Sequence, residues 1–583
     1  MSLYAVPGMR VCFGFHENNQ IKIPPAWSYM TTEVHSYCKA KIEISKNEIC
    51  IKQSIVNPGI NYFDNGIVIV SGLPLIKSFD NSCNSVEKCI DFLKDADGVF
   101  SAVGYNPKNK YVYVLSDFMG IMPLFLQNTS NRFIVSTTTT GFMKSKLDVS
   151  GWGAFLSLGH ALGDHTMVDG VRRVSPGILE TYNTCGKLIS YNQYWCLISD
   201  NTCPTTKEVA HSLKDNALSY LSKIDNTAIL LSGGFDSRLI LCVLLNLKIN
   251  VNAIIVNHKD EMSDADAFFA KQIAKKTNVS YCLNEPPQNF FSSYDYLSYI
   301  QKTDASIRSL YLFIACVGTY IPKQGLWEGM IPGFGLPIIR SASWDSWSNF
   351  LLHETQGLNS ETWVSAKTIF EEDIAYDMWK GFKNLFHKEI SRYDETSEMI
   401  WQFVLYNRMR FRTSQNPLMA YSYKAQPLLL GCSQSFWSHV ASIPYEEKKN
   451  HSYYIELFKN EFPIGTEVPF ISGRKMINIR GKKYQYKLLK ALSQIHHWQK
   501  INPNKARLLG LKSKGFSSSN FLYHPAIFEA EVDEKNIINW KVVNKKIKDN
   551  SLSLTDRWLL FHWKAWKWSH EGLLFKNFEI NTG

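Results

Sequence analysis

The stretch TAILLSGGFDSRLILCVLLNL, residues 227–247, constrains the fold of this chain more than any other. A short apolar run ends at Ser232, two glycines interrupt it, and apolar residues return at the spacing of a helix. A second apolar run, NVNAIIVN, and a further helical pattern, DADAFFAKQIAKKTN, come next. Because continuous apolar strands that alternate with helices are buried on both faces, the pattern predicts a parallel sheet covered by helices.

The length of 583 residues exceeds what one hydrophobic core organises and predicts at least two domains. Residues 1–196 are predicted to be β-rich, because short apolar or alternating runs such as GIVIVSG and KYVYVLS recur between turn residues. The segment SVEKCIDFLKDA is the clearest helix there, with Ser85 as its cap. Residues 197–205 have the composition of a linker, and residues 206–583 are predicted to form an α/β domain that is mostly helical towards its end.

Composition predicts a cytoplasmic protein with no membrane partner. No segment approaches the run of about 18 apolar residues that a membrane span needs, and the N-terminus lacks the pattern of a secretory signal. The twelve cysteines are scattered without a Cys-x-x-Cys pair, which is typical of reduced thiols and not of a zinc site.

The net charge of +11 is concentrated in one segment. Between Pro469 and Phe528 there are twelve lysines and arginines and no acidic residue. Such a segment attracts an anion or forms a solvated basic surface. No nucleic-acid-binding motif accompanies it, so a nucleic-acid partner is not expected.

The Ser-Gly-Gly turn has the chemistry of a phosphate site. Glycines let the backbone approach a ligand, the helix start adds partial positive charge, and Ser232 and Ser237 supply hydroxyl donors. Asp236 would repel phosphate unless Mg²⁺ lay between them, so it is predicted to be a metal ligand. Arg238 either adds charge to the site or faces solvent. The GxxxxGK[ST] pattern for γ-phosphate transfer is absent, and the alternative is a plain strand-to-helix turn.

The SGGxDS pattern resembles the PP-loop of ATP pyrophosphatases, which hold pyrophosphate while AMP is transferred. Over nearly its whole length the chain resembles asparagine synthetase-type amidotransferases, a family that includes β-lactam synthetases and lasso-peptide cyclases. Three further segments carry this resemblance: DGVFSAVGYNPKNKYVYVLSDFMGIMPLF (97–125), LGDHTMVDGVRRVSPG (162–177) and SDADAFFAKQIAKKTNV (263–279). The resemblance implies an N-terminal nucleophile (Ntn) hydrolase-like αββα sandwich over residues 1–196. It also implies a PP-loop domain of the adenine nucleotide α hydrolase type, with a helical extension, over residues 206–583.

The resemblance further implies ATP and Mg²⁺ as cofactors and assigns roles to particular residues. Leu231 and Val256 would line the adenine and ribose pocket. Lys475, with Arg474 as the alternative, would neutralise charge in the transition state. The pyrophosphate and metal would be held by Ser232, Gly233, Gly234, Asp236 and Ser237, with Gly333 and Gly335 in a second glycine loop.

Several residues depart from the family pattern. Glutaminases of this type need a cysteine that becomes residue one, whereas Ser2 follows Met1 and the nearest thiol is Cys12, inside the chain. We therefore expect the first domain to keep the fold without hydrolysing glutamine. In the second glycine loop Leu336 and Pro337 stand where Gly and Asp are expected, and QPLLLGC (426–432) lacks the family's Asp. Glu328 or Asp345 would have to complete the metal site.

These observations predict an ATP-dependent amide-forming enzyme that adenylates a small-molecule, peptide or sugar carboxylate. The nitrogen would come from free ammonia, a separate glutaminase or an amine on the substrate. The alternative is a non-catalytic relative that binds nucleotide and acts as a scaffold or partner. RNA modification by a PP-loop enzyme is a weaker third hypothesis, since no catalytic cysteine pair or RNA-binding module is present.

Overall fold

The structure of the protein is a computed structural model. It describes residues 7–13, 30–35, 40–45, 59–76, 83–129, 132–140, 142, 146–198, 202–222, 224–256, 261–285, 294–306, 327–333, 336–340, 344–472, 475–477 and 537–571.

The first part of the chain forms two antiparallel sheets from twelve described strands. They are β1 (Gly8–Phe13), β2 (Met30–His35), β3 (Ala40–Ser45), β4 (Ile60–Phe63), β5 (Gly66–Leu75), β6 (Asp97–Asn106), β7 (Tyr111–Ser116), β8 (Phe125–Thr129), β9 (Arg132–Ser136), β10 (Val171–Arg173), β11 (Ile178–Asn183) and β12 (Leu188–Gln193). One sheet has the order β10-β8-β9-β1-β3-β2 and the other the order β12-β11-β7-β6-β5-β4.

The two sheets pack face to face around an apolar core. Side chains alternate along β1, so that Met9, Val11 and Phe13 enter the cluster between the sheets while Cys12 points to the opposite face. Two helices cover the outer faces: α1 (Val86–Lys94) on the second sheet and α2 (Val149–Leu158) on the first. The result is a helix–sheet–sheet–helix sandwich, and the predicted cap of α1 is confirmed, since the Ser85 side chain accepts from the Lys88 amide.

The chain then alternates helices and strands. The order is α3 (Thr206–Leu221), β13 (Thr227–Leu230), α4 (Phe235–Asn246), β14 (Asn252–Val256), α5 (Glu261–Lys276), β15 (Tyr281–Asn284), α6 (Tyr294–Lys302) and β16 (Gly329–Ile331). Helix α3 begins with a capping box, in which Thr205 and Glu208 satisfy each other's backbone amides.

The later part is mostly helical among its described residues. It contains a 3-10 helix (Leu336–Ile339), α7 (Trp347–Glu354), α8 (Glu361–Ile369), α9 (Glu372–Ile390), α10 (Ser397–Val404), a π-helix (Leu405–Gln415), α11 (Asn416–Tyr421), β17 (Gln426–Pro427), α12 (Gln434–Ser442), α13 (Tyr445–Lys448), a 3-10 turn (Lys449–His451), α14 (Ser452–Glu461), a 3-10 turn (Pro463–Thr466), β18 (Phe470–Ser472), β19 (Lys475–Ile477), α15 (Trp540–Lys548) and α16 (Leu554–Glu571). None of the helices in the described part of the chain is long and apolar enough to cross a membrane.

A parallel sheet lies at the centre of this second part, as the strand and helix alternation predicts. Its order is β15-β14-β13-β16-β17, with every neighbouring pair parallel. Along β13, Ile229 packs into one apolar cluster and Ala228 and Leu230 into another, so both faces are covered. Strand β13 is central, and the Ser-Gly-Gly turn therefore leaves the middle of the sheet at its carboxyl edge. Overall the protein is a mixed α/β structure.

Helices α2 and α9 pack at very close range through paired glycines. A Cβ built on Gly153 would lie 1.9 Å from the carbonyl oxygen of Met378, and one built on Gly381 would lie 2.7 Å from the Ser150 hydroxyl. Only glycine fits at either contact, since a real Cβ atom does not come this close to another heavy atom.

We expect Gly153→Ala to lower the free energy of unfolding by about 1–3 kcal/mol, because the added methyl group forces the two helices apart. Urea denaturation of the wild type and of Gly153→Ala measures this difference in the free energy of unfolding. Gly357→Ala is the matched control, because no atom lies within 4 Å of a Cβ there. Equal effects of the two substitutions would contradict the packing described.

Candidate phosphate site at the Ser-Gly-Gly turn

The loop between β13 and α4 is held in shape by its own hydroxyl groups. The Ser232 amide donates to the Ser237 hydroxyl at 3.0 Å, and the two hydroxyl oxygens lie 2.8 Å apart. The Gly234 amide donates to the Ser232 hydroxyl at 3.3 Å. These bonds close the turn from Ser232 to Ser237, with Ser232, Gly234 and Asp236 on its half-buried face.

A residue outside the loop fixes its first glycine. The Gly233 amide donates to Oδ1 of Asp266 in helix α5 at 2.9 Å. Burial raises the pKa of this carboxyl to about 6, although the Gly233 hydrogen bond opposes the shift. The sequence pattern placed Asp266 in a helix without a role, and the structure shows that it positions the turn.

The start of helix α4 offers amide groups to a ligand. Gly234 is its N-cap with no side-chain cap hydrogen bond, and the first-turn amides of a helix have no carbonyl partner within it. Gly333, two residues beyond the end of β16, lies against the same turn, where a Cβ would be 2.6 Å from the Ser237 amide nitrogen. A half-open turn with helix-start amides and a glycine wall fits a phosphate group.

Asp236 is already engaged by two side chains. Its Oδ2 accepts from Arg340 at 2.8 Å and its Oδ1 accepts from the Tyr454 hydroxyl at 2.9 Å. The Asp236 and Arg340 side chains are 24% and 34% exposed, so the pair borders solvent. Neither partner was foreseen from the sequence, because Arg340 and Tyr454 lie far from the loop along the chain.

The residues at Asp236 do not fit the predicted Mg²⁺ site. Magnesium takes oxygen ligands and is bound through one or two carboxylates, yet both oxygens of Asp236 accept other hydrogen bonds. No group of three or more His, Cys, Asp or Glu side chains that could hold a metal ion occurs in the described ranges. The guanidinium of Arg340 supplies the positive charge beside Asp236.

Of the two proposed substitutes for the missing carboxylate, Glu328 lies away from the loop. The Glu328 amide donates to Asn226 just before β13 begins, so Glu328 is at the amino edge of the sheet, opposite the loop. Asp345 is exposed and accepts from Asn349 at the start of α7. Leu336 is fully buried in the apolar core, in a 3-10 helix.

The remaining predicted residues give no further test of the turn. The side chains of Leu231 and Val256 are buried in different apolar clusters, on opposite faces of the sheet, so these two side chains do not face one common pocket. Lys475 begins β19, but its side chain lies outside the described residues, as do Arg474 and Gly335. Their predicted roles stay predictions.

Arg238 faces neither phosphate nor solvent. It is fully buried, donates to the carbonyls of Gly233 and Pro469 at 3.1 and 2.9 Å, and lies over the Phe470 ring at 4.0 Å. Phe470 in turn stacks on Phe235 at 4.2 Å, and His451 stacks on Phe235 at 4.9 Å. Arg238 therefore ties the back of the turn to strand β18.

A buried lysine is linked to the Asp236 pair through one tryptophan. The Lys448 ammonium lies 3.9 Å from the Trp401 ring centroid, and the Trp401 indole donates to the Arg340 carbonyl at 2.8 Å. Lys448 also donates to the Ala441 carbonyl at 3.4 Å. Burial lowers the Lys448 pKa to about 7, with nearby Glu398 opposing the shift.

The thiol nearest the N-terminus is not arranged as a nucleophile. Cys12 is 1% exposed on the outer face of its sheet, where its Sγ donates to the Phe13 carbonyl at 3.9 Å. Burial raises its pKa to about 11, which disfavours the thiolate. Its neighbour Arg10 forms a buried ion pair with Glu43 across the strands.

Comparison with known proteins gives little further guidance. The sequence matches no protein-family model and no curated protein. Among solved structures it is similar to glutamine phosphoribosylpyrophosphate amidotransferase from B. subtilis complexed with ADP and GMP, at 14% identity over 48% of this chain and 65% of that one, with a TM-score of 0.22. A structure described as the allosteric regulatory enzyme of purine biosynthesis is similar at 12% identity, with the same coverage and TM-score.

The chain thus spans 65% of the length of each structure. The likeness to a glutamine amidotransferase is coarse, and at a TM-score of 0.22 it carries no argument about this chain. Neither structure is described as an asparagine synthetase, so that resemblance stays a proposal.

Lys448 predicts a pH dependence of stability. Because its folded-state pKa is about 7, below the usual lysine value, the unfolded chain binds more protons between these two values. Stability therefore rises with pH above about 7, by up to about 1.4 kcal/mol per pH unit from this group. We expect the free energy of unfolding of the wild type to rise by roughly 1–3 kcal/mol more than that of Lys448→Met between about pH 7 and about pH 9. Urea denaturation of both proteins at the two pH values measures this difference. Lys449→Met, which removes the neighbouring lysine, whose side chain is 44% exposed, should behave like wild type.

Proposed function

We propose that the protein is an ATP-dependent amide-forming enzyme of the asparagine synthetase type. In this proposal a carboxylate oxygen attacks the α-phosphorus of ATP, the bond to pyrophosphate breaks, and an acyl adenylate forms. Ammonia or an amine then attacks the acyl carbon, and AMP leaves with the electrons of the acyl–oxygen bond.

One observation carries the proposal: the uncapped start of α4 follows the central strand of a parallel sheet at its carboxyl edge. Ligands of open α/β sheets bind outside the carboxyl ends of the strands, and helix starts bind anions. The Ser232 and Ser237 hydroxyl oxygens lie 2.8 Å apart, so both can donate to the oxygens of one phosphate group. Gly333 approaches the turn so closely that no side chain fits at that position.

Arg340 offers the charge that the loop would otherwise lack. Its guanidinium is 34% exposed beside Asp236, so an incoming phosphate can accept from it without a large movement of the backbone. No step is assigned to Mg²⁺, because the residues around Asp236 do not fit it.

A second candidate function is nucleotide binding without ligase activity. The observation that favours it is the engagement of both Asp236 oxygens by Arg340 and Tyr454. Such a protein would act as a nucleotide-dependent scaffold or partner.

Exchange of labelled pyrophosphate into ATP, measured across a panel of small-molecule, peptide and sugar carboxylates, tests the main proposal. We expect exchange with at least one carboxylate, and we expect Ser232→Ala to reduce it at least about tenfold, because a hydrogen bond to a charged group is worth about 1.5–3 kcal/mol. Ser219→Ala, which removes an exposed hydroxyl on α3, is the matched control and should leave exchange unchanged.

ATP binding in calorimetry without any exchange would support the second candidate instead. Absence of both binding and exchange would reject both candidates.

The nitrogen source is the subject of a separate prediction. Purified protein should release no ammonia from L-glutamine, and Cys12→Ala should not change this, because a thiol with a pKa of about 11 is ionised in only about one molecule in ten thousand at neutral pH. A coupled ammonia assay measures the release. Glutamine hydrolysis that disappears in Cys12→Ala would show that this domain is an active glutaminase.

A further inference from the structure

A polar cavity of about 240 Å³ lies where the β-sandwich meets the helical part. Its walls come from the segments before β10, from β11 and β12, from the end of α9 and from the π-helix. It does not include any residue of the Ser-Gly-Gly turn.

Arg410 supplies an unpaired donor to this cavity. The side chain is 2% exposed, and its Nε and one terminal nitrogen donate to the carbonyls of Gly120 and Val174 at 3.0 and 2.7 Å. Within the described part of the chain its other terminal nitrogen has no hydrogen-bond partner, and the residue lines the cavity. A buried guanidinium with a free N–H is costly unless a ligand or water accepts from it.

Asp164 supplies the opposite charge. One carboxylate oxygen accepts from the Ser175 hydroxyl at 2.7 Å, while the other has no partner among the described side chains. Asp164 and Arg410 form no ion pair with each other in the described structure, although both line the cavity. Tyr393 also lines it, and in the described part of the chain its hydroxyl has no hydrogen-bond partner.

The other two charges in the wall already neutralise each other. Arg392 donates to Glu389 at 3.1 Å, and Gly163 approaches that carboxylate so closely that a Cβ would lie 2.8 Å from Oε2. Arg410 and Asp164 therefore remain in the wall as a cation and an anion that attract each other without a direct ion pair.

We propose that this cavity binds a free α-amino acid with a neutral side chain. The ligand's carboxylate accepts from Arg410 and Tyr393, and its ammonium group donates to Asp164. A simple anion would face the Asp164 carboxylate, and a simple cation would face the Arg410 guanidinium, so only a zwitterion complements both. The volume equals about eight water molecules at about 30 Å³ each, which matches an amino acid of about that many non-hydrogen atoms.

Calorimetric titration with L-threonine, in the absence of nucleotide, tests the proposal on the full chain. We expect L-threonine to bind, while N-acetyl-L-threonine, which lacks the ammonium charge, and L-threoninamide, which lacks the carboxylate, bind at least about tenfold more weakly. Equal affinity for either analogue, or no heat of binding with millimolar L-threonine, L-alanine and L-asparagine, would overturn the proposal.

Substitutions assign the binding to this cavity. Asp164→Asn should weaken L-threonine binding at least about tenfold and Tyr393→Phe several-fold, whereas Lys388→Gln should leave it unchanged. Lys388 is the matched control, because it is a charged residue adjacent to Glu389 that lines a neighbouring cavity and not this one. If Asp164→Asn does not fold, Tyr393→Phe and the two analogues still test whether the amino acid binds in this cavity. Unaltered L-threonine binding in Tyr393→Phe would show that the ligand binds elsewhere. Because no nucleotide is present, the outcome is independent of the proposed ATP chemistry.

Discussion

Two buried arginines that share one carbonyl hold the β-sandwich against the helical part of the chain. Arg173 from β10 and Arg410 from the π-helix both donate to the Gly120 oxygen. Gly120 has φ +56°, which a side chain rarely adopts, and a Cβ there would lie 2.8 Å from an Arg410 nitrogen. The turn is fixed from inside by Asp117, whose carboxylate accepts from the Met119, Ile121 and Met122 amides. Because a buried guanidinium must keep its acceptors, neither half can shift without exposing unpaired charge.

The same apolar core reaches the candidate phosphate site. Met409, next to Arg410 in the π-helix, packs in the same cluster as Leu231 and Phe235 at the turn. π-helices are rare and frequently occur at functional sites, where the extra residue per turn changes the direction of side chains that a regular helix would align. Here Arg410 donates to carbonyls of the sandwich, while Met409 packs into the apolar cluster that extends to the turn, so one irregular helix contributes to the cavity and to the core of the second part.

The sequence predicted local structure well and long-range partnerships poorly. The cap at Ser85, the strand and helix boundaries around the turn and the parallel sheet follow from apolar spacing and turn residues, which act over a few positions. The role assigned to Asp236 rested on its neighbours in sequence, but its actual partners lie 104 and 218 positions away. Glu328 and Asp345 were chosen by charge alone, and the sheet register places Glu328 at the wrong edge. Periodicity carries no information about such pairings, since they depend on the tertiary packing of separate elements.

The two candidate sites differ in how their charges are satisfied, and this difference determines what each can bind. At the turn, Asp236 and Arg340 are already paired, so a phosphate must compete with a carboxylate for the guanidinium, and its binding leaves Asp236 with the Tyr454 hydroxyl alone. The pair is partly exposed, which keeps the cost of separating it small. At the junction cavity Arg410 and Asp164 each retain an unused group, so an incoming zwitterion replaces water without breaking a protein ion pair. The turn is therefore suited to a strongly charged ligand, such as a triphosphate, that can displace a carboxylate. The cavity is suited to a small molecule with no net charge whose two ends are matched separately.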